Sequence, residues 1–113
     1  MLQQLDWIGK VNGTWVIFEV KDKELWEPGD NFPVWGTGLN RSQIFLRSGL
    51  LEECGFQTFQ LVYVKDSDVV YGAYLDELEN QGGYHDTTKS RIYPIEHYSQ
   101  DIEGTLRSCR IKI

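Results

Sequence analysis

The stretch LDWIGKVNGTWVIFEVK, from Leu5 to Lys21, gives the strongest indication of the fold of this protein. Its two ends, residues 5–10 and 15–21, are rich in β-branched and aromatic side chains, which favour strands. The dipeptide Asn12-Gly13 lies between them and favours the tight turn of a β-hairpin, because both residues tolerate a positive φ. We therefore expect two antiparallel strands joined by a two-residue loop.

The length of that loop sets the register of the predicted hairpin. A two-residue loop pairs Val11 with Thr14, and counting outward from this pair brings Asp6 opposite Glu19. Side chains alternate along a strand, so Glu19 and Lys21 share a face, and directly opposed residues share one too. The register therefore predicts that Asp6, Glu19 and Lys21 converge on one side of the hairpin.

The opposite side of the predicted hairpin is apolar, and we expect it to meet the core. It carries Leu5, Trp7, Val16, Phe18 and Val20. The hairpin would then separate a buried apolar face from a face that holds two acids and a lysine.

Two carboxylates directly opposite one another repel, and a divalent cation would remove the repulsion between Asp6 and Glu19. Mg²⁺ prefers oxygen ligands and usually takes one or two carboxylates together with water and phosphate. Lys21 would hold a water molecule or neutralise charge that develops on a phosphate. The alternative is a solvated hairpin face with a Lys–Glu contact across the strands. The register and the apolar opposite face favour the metal site.

The rest of the chain predicts further strands and helices around the hairpin. Residues 24–41 have the composition of a long ordered loop, and a helix is expected from about Asn40 to Cys54, with Gly55 as its C-cap. The apolar face of this helix would consist of Ile44, Leu46, Leu50, Leu51 and Cys54. We also expect strands at 56–64, 69–74 and 91–93, a short helical turn at 75–80 and an edge strand at 105–113.

Composition bounds the class of protein. The 113 residues suit a single domain, 1–113, and the formal net charge of −6 weighs against a simple basic nucleic-acid binder. It is compatible with an enzyme that needs acidic metal ligands and a local basic patch. Cys54 and Cys109 have no metal-ligand spacing and indicate reduced thiols. With no membrane-length apolar run and no signal-peptide pattern, the expected location is the cytoplasm, without membrane contact.

The pattern of the hairpin and the helix resembles the PD-(D/E)XK nuclease superfamily. Asp6 matches the first acid of its motif, and Glu19-Val20-Lys21 matches the (D/E)-X-K element on the second strand of a hairpin. The following helix carries Gln43, as it does in many members, including archaeal Holliday-junction resolvases. The resemblance covers roughly residues 2–65 and implies an α/β (α+β) fold with a restriction-endonuclease-like mixed sheet flanked by helices.

The resemblance also implies a function, namely Mg²⁺-dependent hydrolysis of DNA phosphodiester bonds, with Mn²⁺ as a substitute. Asp6 and Glu19 would bind the metal together with the backbone carbonyl of Val20. Lys21 would position or activate the attacking water, and Gln43 would support the site.

Two departures from the family pattern shape the expected assembly. Leu5 stands where a proline often precedes the first acid, and the chain starts almost at the hairpin, so we expect the fold to lack the usual N-terminal helix. The sheet surface left without that layer would be exposed and apolar, as surfaces at interfaces often are. We therefore expect a homodimer or a larger homo-oligomer.

Three basic residues are candidate DNA contacts, and a second function remains open. Lys23, Arg41 and Arg47 lie close to the predicted site in sequence and could bind phosphate, although a solvated helix face explains the two arginines equally well. The alternative function is a non-catalytic interaction domain that keeps the nuclease fold and binds a protein partner through its acidic surface.

Overall fold

The Asn12-Gly13 turn closes a hairpin with the predicted register. Both residues have positive φ, 51° and 80°, as a tight hairpin turn requires. The turn joins β1 (Asp6–Val11) to β2 (Thr14–Lys23), and Asp6 pairs with Glu19. The prediction of the hairpin and of its register is therefore confirmed.

The computed structural model describes residues 6–23, 25–29, 32–65 and 67–108, and the side chains of residues 6 and 23 are outside this description. The fold is mixed α+β. After the hairpin come β3 (Gly36–Asn40), α1 (Arg41–Cys54), β4 (Gln57–Val64), β5 (Val69–Tyr74), α2 (Leu75–Gln81), β6 (His85–Asp86), β7 (Ser90–Pro94), a 3₁₀ turn (Ile95–His97) and α3 (Ile102–Arg107). None of the described helices is long and apolar enough to cross a membrane.

Two sheets organise these elements. The first has the strand order β1-β2-β4-β5, with β2 and β4 parallel and the other pairs antiparallel. Two parallel neighbours need a crossover connection, and the chain between β2 and β4 provides one that contains α1. The second sheet is antiparallel with the order β3-β7-β6.

Helix α1 begins and ends where its capping residues place it. The Asn40 side chain accepts hydrogen bonds from the backbone N–H groups of Ser42 (2.9 Å) and Gln43 (3.4 Å). Gly55 has a φ of 71°, and its N–H donates to the Leu51 carbonyl at 2.9 Å. The predicted helix is confirmed, together with its C-cap.

The inner face of α1 is narrower than the sequence predicts. Ile44 is buried, and Leu50 and Leu51 are partly buried. Leu46 and Cys54 are exposed, so their assignment to the apolar face is wrong. The tight contact of α1 with β2 and β4 instead involves polar side chains, which are described below.

Both faces of the first sheet are covered by other elements. On one face, Val16 packs with Phe59 and Tyr74, and Ile102 and Leu106 of α3 contact this cluster. On the other face, the core is shared with α1, α2 and the second sheet. The buried members of that core are Leu39, Ile44, Val62, Val64, Ala73, Leu75, Leu78, Tyr93 and Tyr98.

Part of the predicted apolar hairpin face lies outside the core. Trp7 is 58 % exposed, so its predicted burial is wrong. Helix α3 spans six residues, and it sits at the turn end of the hairpin, where Asn12 donates a hydrogen bond to the Arg107 carbonyl. Trp7 lies about 13 Å further along the strand from Val11, beyond the reach of this helix. Leu5 lies outside the described residues.

The predicted loop at 24–41 contains a strand. Residues 36–40 form β3 and pair with β7. The side chains of this segment have low strand propensity, but the backbone hydrogen bonds to β7 form regardless of the side chains. Glycine at position 36 allows the close approach, since a Cβ there would lie 2.7 Å from Ile92 Cγ2 and 2.8 Å from the Tyr93 carbonyl oxygen.

The predicted edge strand at 105–113 is also wrong in its described part. Residues 102–107 form α3, and the Asp101 side chain caps this helix by accepting from the Gly104 N–H at 3.1 Å. The weak alternation of apolar and polar residues that predicted a strand here was a poorer guide than the helix N-cap at Asp101. Residues 109–113, including Cys109, lie outside the described part of the chain.

Candidate active site

Glu19 lies at the centre of the candidate site because of its place in β2. This strand is flanked by β1 and β4, and Glu19 pairs with Asp6 on one side and with Gln60 on the other. The side chain of Glu19 points to the face of the sheet that α1 covers and is only 1 % exposed. A carboxylate in such a position needs partners, because burial of an isolated charge costs several kcal/mol.

Two side chains supply these partners. The Arg47 Nε of α1 donates to Glu19 Oε1 in a short ion pair, and the Gln60 Nε2 of β4 donates to Glu19 Oε2 at 3.2 Å. The Arg47 side chain is itself only 13 % exposed. The charge of Glu19 is therefore balanced, and each carboxylate oxygen has at least one donor.

Lys21 lies on the same face of β2, two residues beyond Glu19. It is partly buried, and its Nζ donates to Gln43 Oε1 at 3.4 Å. Gln43 and Arg47 are four residues apart, so one side of α1 presents both to β2. The structure thus brings together four of the residues that the sequence singled out, two on the hairpin and two on the helix.

A small cavity of about 10 Å³ lies among these residues. Its polar lining residues are Glu19, Asn40, Gln43, Arg47 and Gln60. A space of this size holds about one water molecule. The Oε1 of Gln60 is buried and has no hydrogen-bond partner within the described part of the chain, so an acceptor oxygen remains unused beside Glu19.

The described site contains oxygen atoms of the kind that a hard cation such as Mg²⁺ prefers. An ionised carboxylate offers about four lone-pair positions, and the two described donors to Glu19 leave others for a cation. Gln60 Oε1 adds a second oxygen, and the register places the backbone of Asp6 directly opposite Glu19. Among the described residues, no three acidic, histidine or cysteine side chains come together.

The other predicted site residues lie around this centre. Val20 is partly buried between Glu19 and Lys21 and pairs with Leu61. Arg41 lies at the start of α1, where its Nη1 donates to the Thr87 carbonyl at 3.2 Å. The side chain of Lys23 is outside the description.

Gln60 is the participant that sequence reasoning missed. It contacts Glu19 because β2 and β4 are parallel neighbours, and the hairpin pattern carries no information on that pairing. One signal was present in the sequence. Strand Gln57–Val64 is buried along most of its length, yet Thr58 and Gln60 place polar groups on the same face. Polar residues inside a buried strand indicate a polar contact that the strand must satisfy.

Comparison of the chain with protein-family models, with curated proteins and with solved structures finds no match.

Proposed function

We propose that this chain is a Mg²⁺-dependent endonuclease that hydrolyses DNA phosphodiester bonds. The observation that carries the proposal is the meeting of Glu19 and Lys21 on β2 with Gln43 and Arg47 on α1. An acid, a lysine and a glutamine on one buried face are the residues that the resemblance to PD-(D/E)XK nucleases implies.

In this proposal, Asp6, Glu19 and the Val20 carbonyl hold the metal. When bound, Mg²⁺ would polarise a phosphoryl oxygen and make a bound water more acidic. Glu19 is held in place by Arg47 and Gln60, so its carboxylate is oriented before any ligand arrives.

Lys21 would supply positive charge to the reacting phosphate. Its ammonium group has three N–H donors, and Gln43 accepts one of them, which leaves others for a water molecule or a phosphoryl oxygen. Gln43 acts as a positioning residue in this arrangement, because it orients the ammonium group and does not itself contact the reacting atoms.

The reaction balances without any further reactant. A water oxygen forms a bond to phosphorus, and one phosphorus–oxygen ester bond breaks. The proton that the water loses matches the proton that the leaving oxygen gains. One new DNA end carries a hydroxyl group and the other carries a phosphate group.

A second candidate function is a non-catalytic domain that keeps this fold and binds a protein partner. The observation that favours it is the Glu19–Arg47 ion pair, which balances the buried charge without a metal. The two functions differ in a measurable way. The nuclease requires a cation at Glu19, whereas the interaction domain does not.

We further propose that the enzyme acts in the cytoplasm as a homodimer or larger homo-oligomer. The exposed Cys54 is a free thiol, which suits a reducing compartment. Trp7 and Ile8 are exposed on β1, at an edge of the first sheet, and such apolar edges favour association.

A plasmid-nicking assay with Mg²⁺ or Mn²⁺ tests the nuclease proposal. We expect Lys21→Ala to slow nicking by about 10²–10³, the usual loss for a group that stabilises transition-state charge. Calorimetric titration with Mn²⁺ should give nearly unchanged binding for this variant, because lysine is not a ligand. Glu19→Gln should lose both metal binding and nicking.

The matched control is Glu53→Gln, which removes an exposed acid from α1. It should leave nicking unchanged. If the native chain neither binds Mn²⁺ nor nicks DNA, the nuclease proposal fails and the interaction domain is favoured.

A further inference from the structure

Two concave surfaces adjoin the candidate site, and they differ in charge. The first, of about 490 Å³, lies beyond Arg47 between α1, the start of β4 and α2. Three carboxylates line it, those of Glu52, Asp76 and Glu79. Arg47 also lines this surface, and Glu79 is paired with Arg91. Acids still outnumber cations in the lining, so this surface is the less favourable path for DNA.

The second surface, of about 430 Å³, lies on the other side, at the start of α1. It is lined by Asn40, Arg41, Ser42, Phe45, Thr88 and Lys89. Two of these side chains are cationic and none is acidic. Asn40 also lines the small cavity beside Glu19, so the two spaces are neighbours.

Two hydrogen bonds to backbone carbonyls hold Arg41 in place. Its backbone N–H donates to the Lys89 carbonyl at 2.9 Å, and its Nη1 donates to the Thr87 carbonyl at 3.2 Å. A guanidinium group has five N–H donors. The Nε of Arg41 is buried and has no hydrogen-bond partner among the described residues, so a phosphate would be bound through the Nη groups. The Phe45 ring lies 5.9 Å from the guanidinium carbon and supports it from one side.

The distribution of ion pairs points to the same surface. In the described part of the chain, Arg47, Lys65, Arg91 and Arg107 are paired with carboxylates. Among the other described cations, Lys10 lies over the Trp15 ring in the hairpin, whereas Lys21, Arg41 and Lys89 have no such pair around the start of α1. Asp86 is close enough to Arg41 for the arginine to lower the pKa of this carboxyl. In a chain of net charge −6, these cations around one helix end form a local basic surface.

We propose that Arg41 and Lys89 bind phosphates of the DNA backbone next to the scissile bond, and that the bound strand crosses the start of α1 from Lys21 towards Lys89. This inference rests on the proposed nuclease function, because that function makes DNA the ligand. We assign phosphate binding to the two cations and not to the backbone at the start of α1. The N–H groups of Ser42 and Gln43 already donate to the side chain of Asn40. Ser42 and Thr88 add hydroxyl donors at the same surface.

The test is the binding of a short labelled DNA duplex, measured by fluorescence anisotropy in chelator over a range of salt concentrations. We expect Lys89→Ala to weaken binding about fivefold to tenfold at low salt and to reduce the salt slope by about one unit, as the loss of one phosphate contact does. Lys89→Glu should weaken binding further. The control is Lys65→Ala, which removes an exposed lysine on the β4–β5 connection and should change neither quantity.

Chelator separates this inference from the nuclease proposal, because binding is measured where no metal-dependent cleavage occurs. If Lys89→Ala and Lys89→Glu bind as Lys65→Ala does, or if the native chain does not bind DNA at low salt, the phosphate site is refuted. If both Lys89 variants bind more weakly while the native chain fails to nick DNA with Mg²⁺, the phosphate site stands and the nuclease proposal fails.

Discussion

The proposed site places two requirements on Glu19. Its side chain is almost fully buried, so its charge needs a partner, and its carboxylate would have to be ionised to bind a cation. Arg47 meets the first requirement by balancing the charge inside the fold. A buried pair of this kind adds little net stability, but loss of one partner is costly because the other charge remains buried. The pair therefore makes the stability of the metal-free protein sensitive to Arg47.

We predict that Arg47→Leu destabilises the metal-free protein by about 3–5 kcal/mol, because Glu19 loses its cationic partner. If Glu19 binds Mg²⁺, the cation would replace part of that lost compensation. Added Mg²⁺ should then raise the Tm of this variant more than the Tm of the native chain. Thermal melts with and without Mg²⁺ measure both effects.

The control for this prediction is Arg107→Leu, which breaks an ion pair with Glu103 on the surface. Both of those side chains are 73 % exposed, so the loss should be less than about 1 kcal/mol and independent of Mg²⁺. A Mg²⁺ response of Arg47→Leu no larger than that of Arg107→Leu would count against a cation at Glu19.

The ion pair between Asp86 and Arg91 makes the stability of the fold depend on pH. The Arg91 guanidinium donates to Asp86 Oδ1 at 2.6 Å and holds the pKa of this carboxyl below its ordinary value of 3.8. A carboxyl whose pKa is lower in the folded chain stabilises the fold above the unfolded pKa, and this stabilisation is lost as the pH falls through the folded pKa.

We therefore expect Asp86→Asn to lower the Tm at neutral pH and the difference from the native chain to shrink below about pH 4. Thermal melts from neutral to acidic pH measure it. Glu96→Gln, which changes an exposed acid outside this ion pair, is the control. A Tm difference that stays constant across this range would show that the Asp86–Arg91 charge interaction does not cause it.

At the scale of elements, α1 matters most because it carries Gln43 and Arg47 to β2. Its position along the sheet depends on where it begins and ends. Asn40 sets the beginning and Gly55 sets the end. Gly55 has a positive φ, which a residue with a Cβ adopts at a cost of about 1–2 kcal/mol.

We predict opposite effects for two glycine substitutions in this region. Gly55→Ala should lower the free energy of unfolding by about 1–2 kcal/mol, although a Cβ there meets no atom within 4 Å, because the loss comes from the backbone conformation alone. Gly49→Ala, inside α1 and equally unobstructed, should raise it by about 0.5–1 kcal/mol. Urea unfolding measures both changes. If the two substitutions change the free energy of unfolding in the same direction, the assigned end of α1 at Gly55 is wrong.

At the scale of the whole molecule, the exposed side of β1 bears on assembly. Strand β1 lies at the edge of the first sheet, and Trp7 and Ile8 on it are 58 % and 60 % exposed. An edge strand with apolar side chains can pair with another chain through its free backbone groups. The proposed homo-oligomer would bury this edge.

We expect light scattering at high micromolar concentration to give at least twice the mass of one chain, and Ile8→Lys to shift it towards the monomer. Leu46→Lys is the matched control, because Leu46 is also 60 % exposed but lies on α1, away from the sheet edge. A monomer at every concentration, or equal effects of the two substitutions, would refute association through β1.

The hairpin, its register and the helix after it could be predicted from the amino-acid sequence, because they follow from local rules. Asn12-Gly13 specifies a turn, alternation specifies which side chains share a face, and Gly55 ends a helix. The shared face of Glu19 and Lys21 followed from those rules alone.

The surroundings of Glu19 and the strand β3 could not be predicted from the sequence, because they depend on contacts between distant segments. Arg47 and Gln60 are 28 and 41 positions away from Glu19 in the chain, and they meet it because α1 crosses over the sheet and β4 lies parallel to β2. Residues 36–40 became a strand because β7 supplies a backbone partner. Such pairings depend on contacts between distant segments, whose packing outweighs the local preferences that a sequence pattern records.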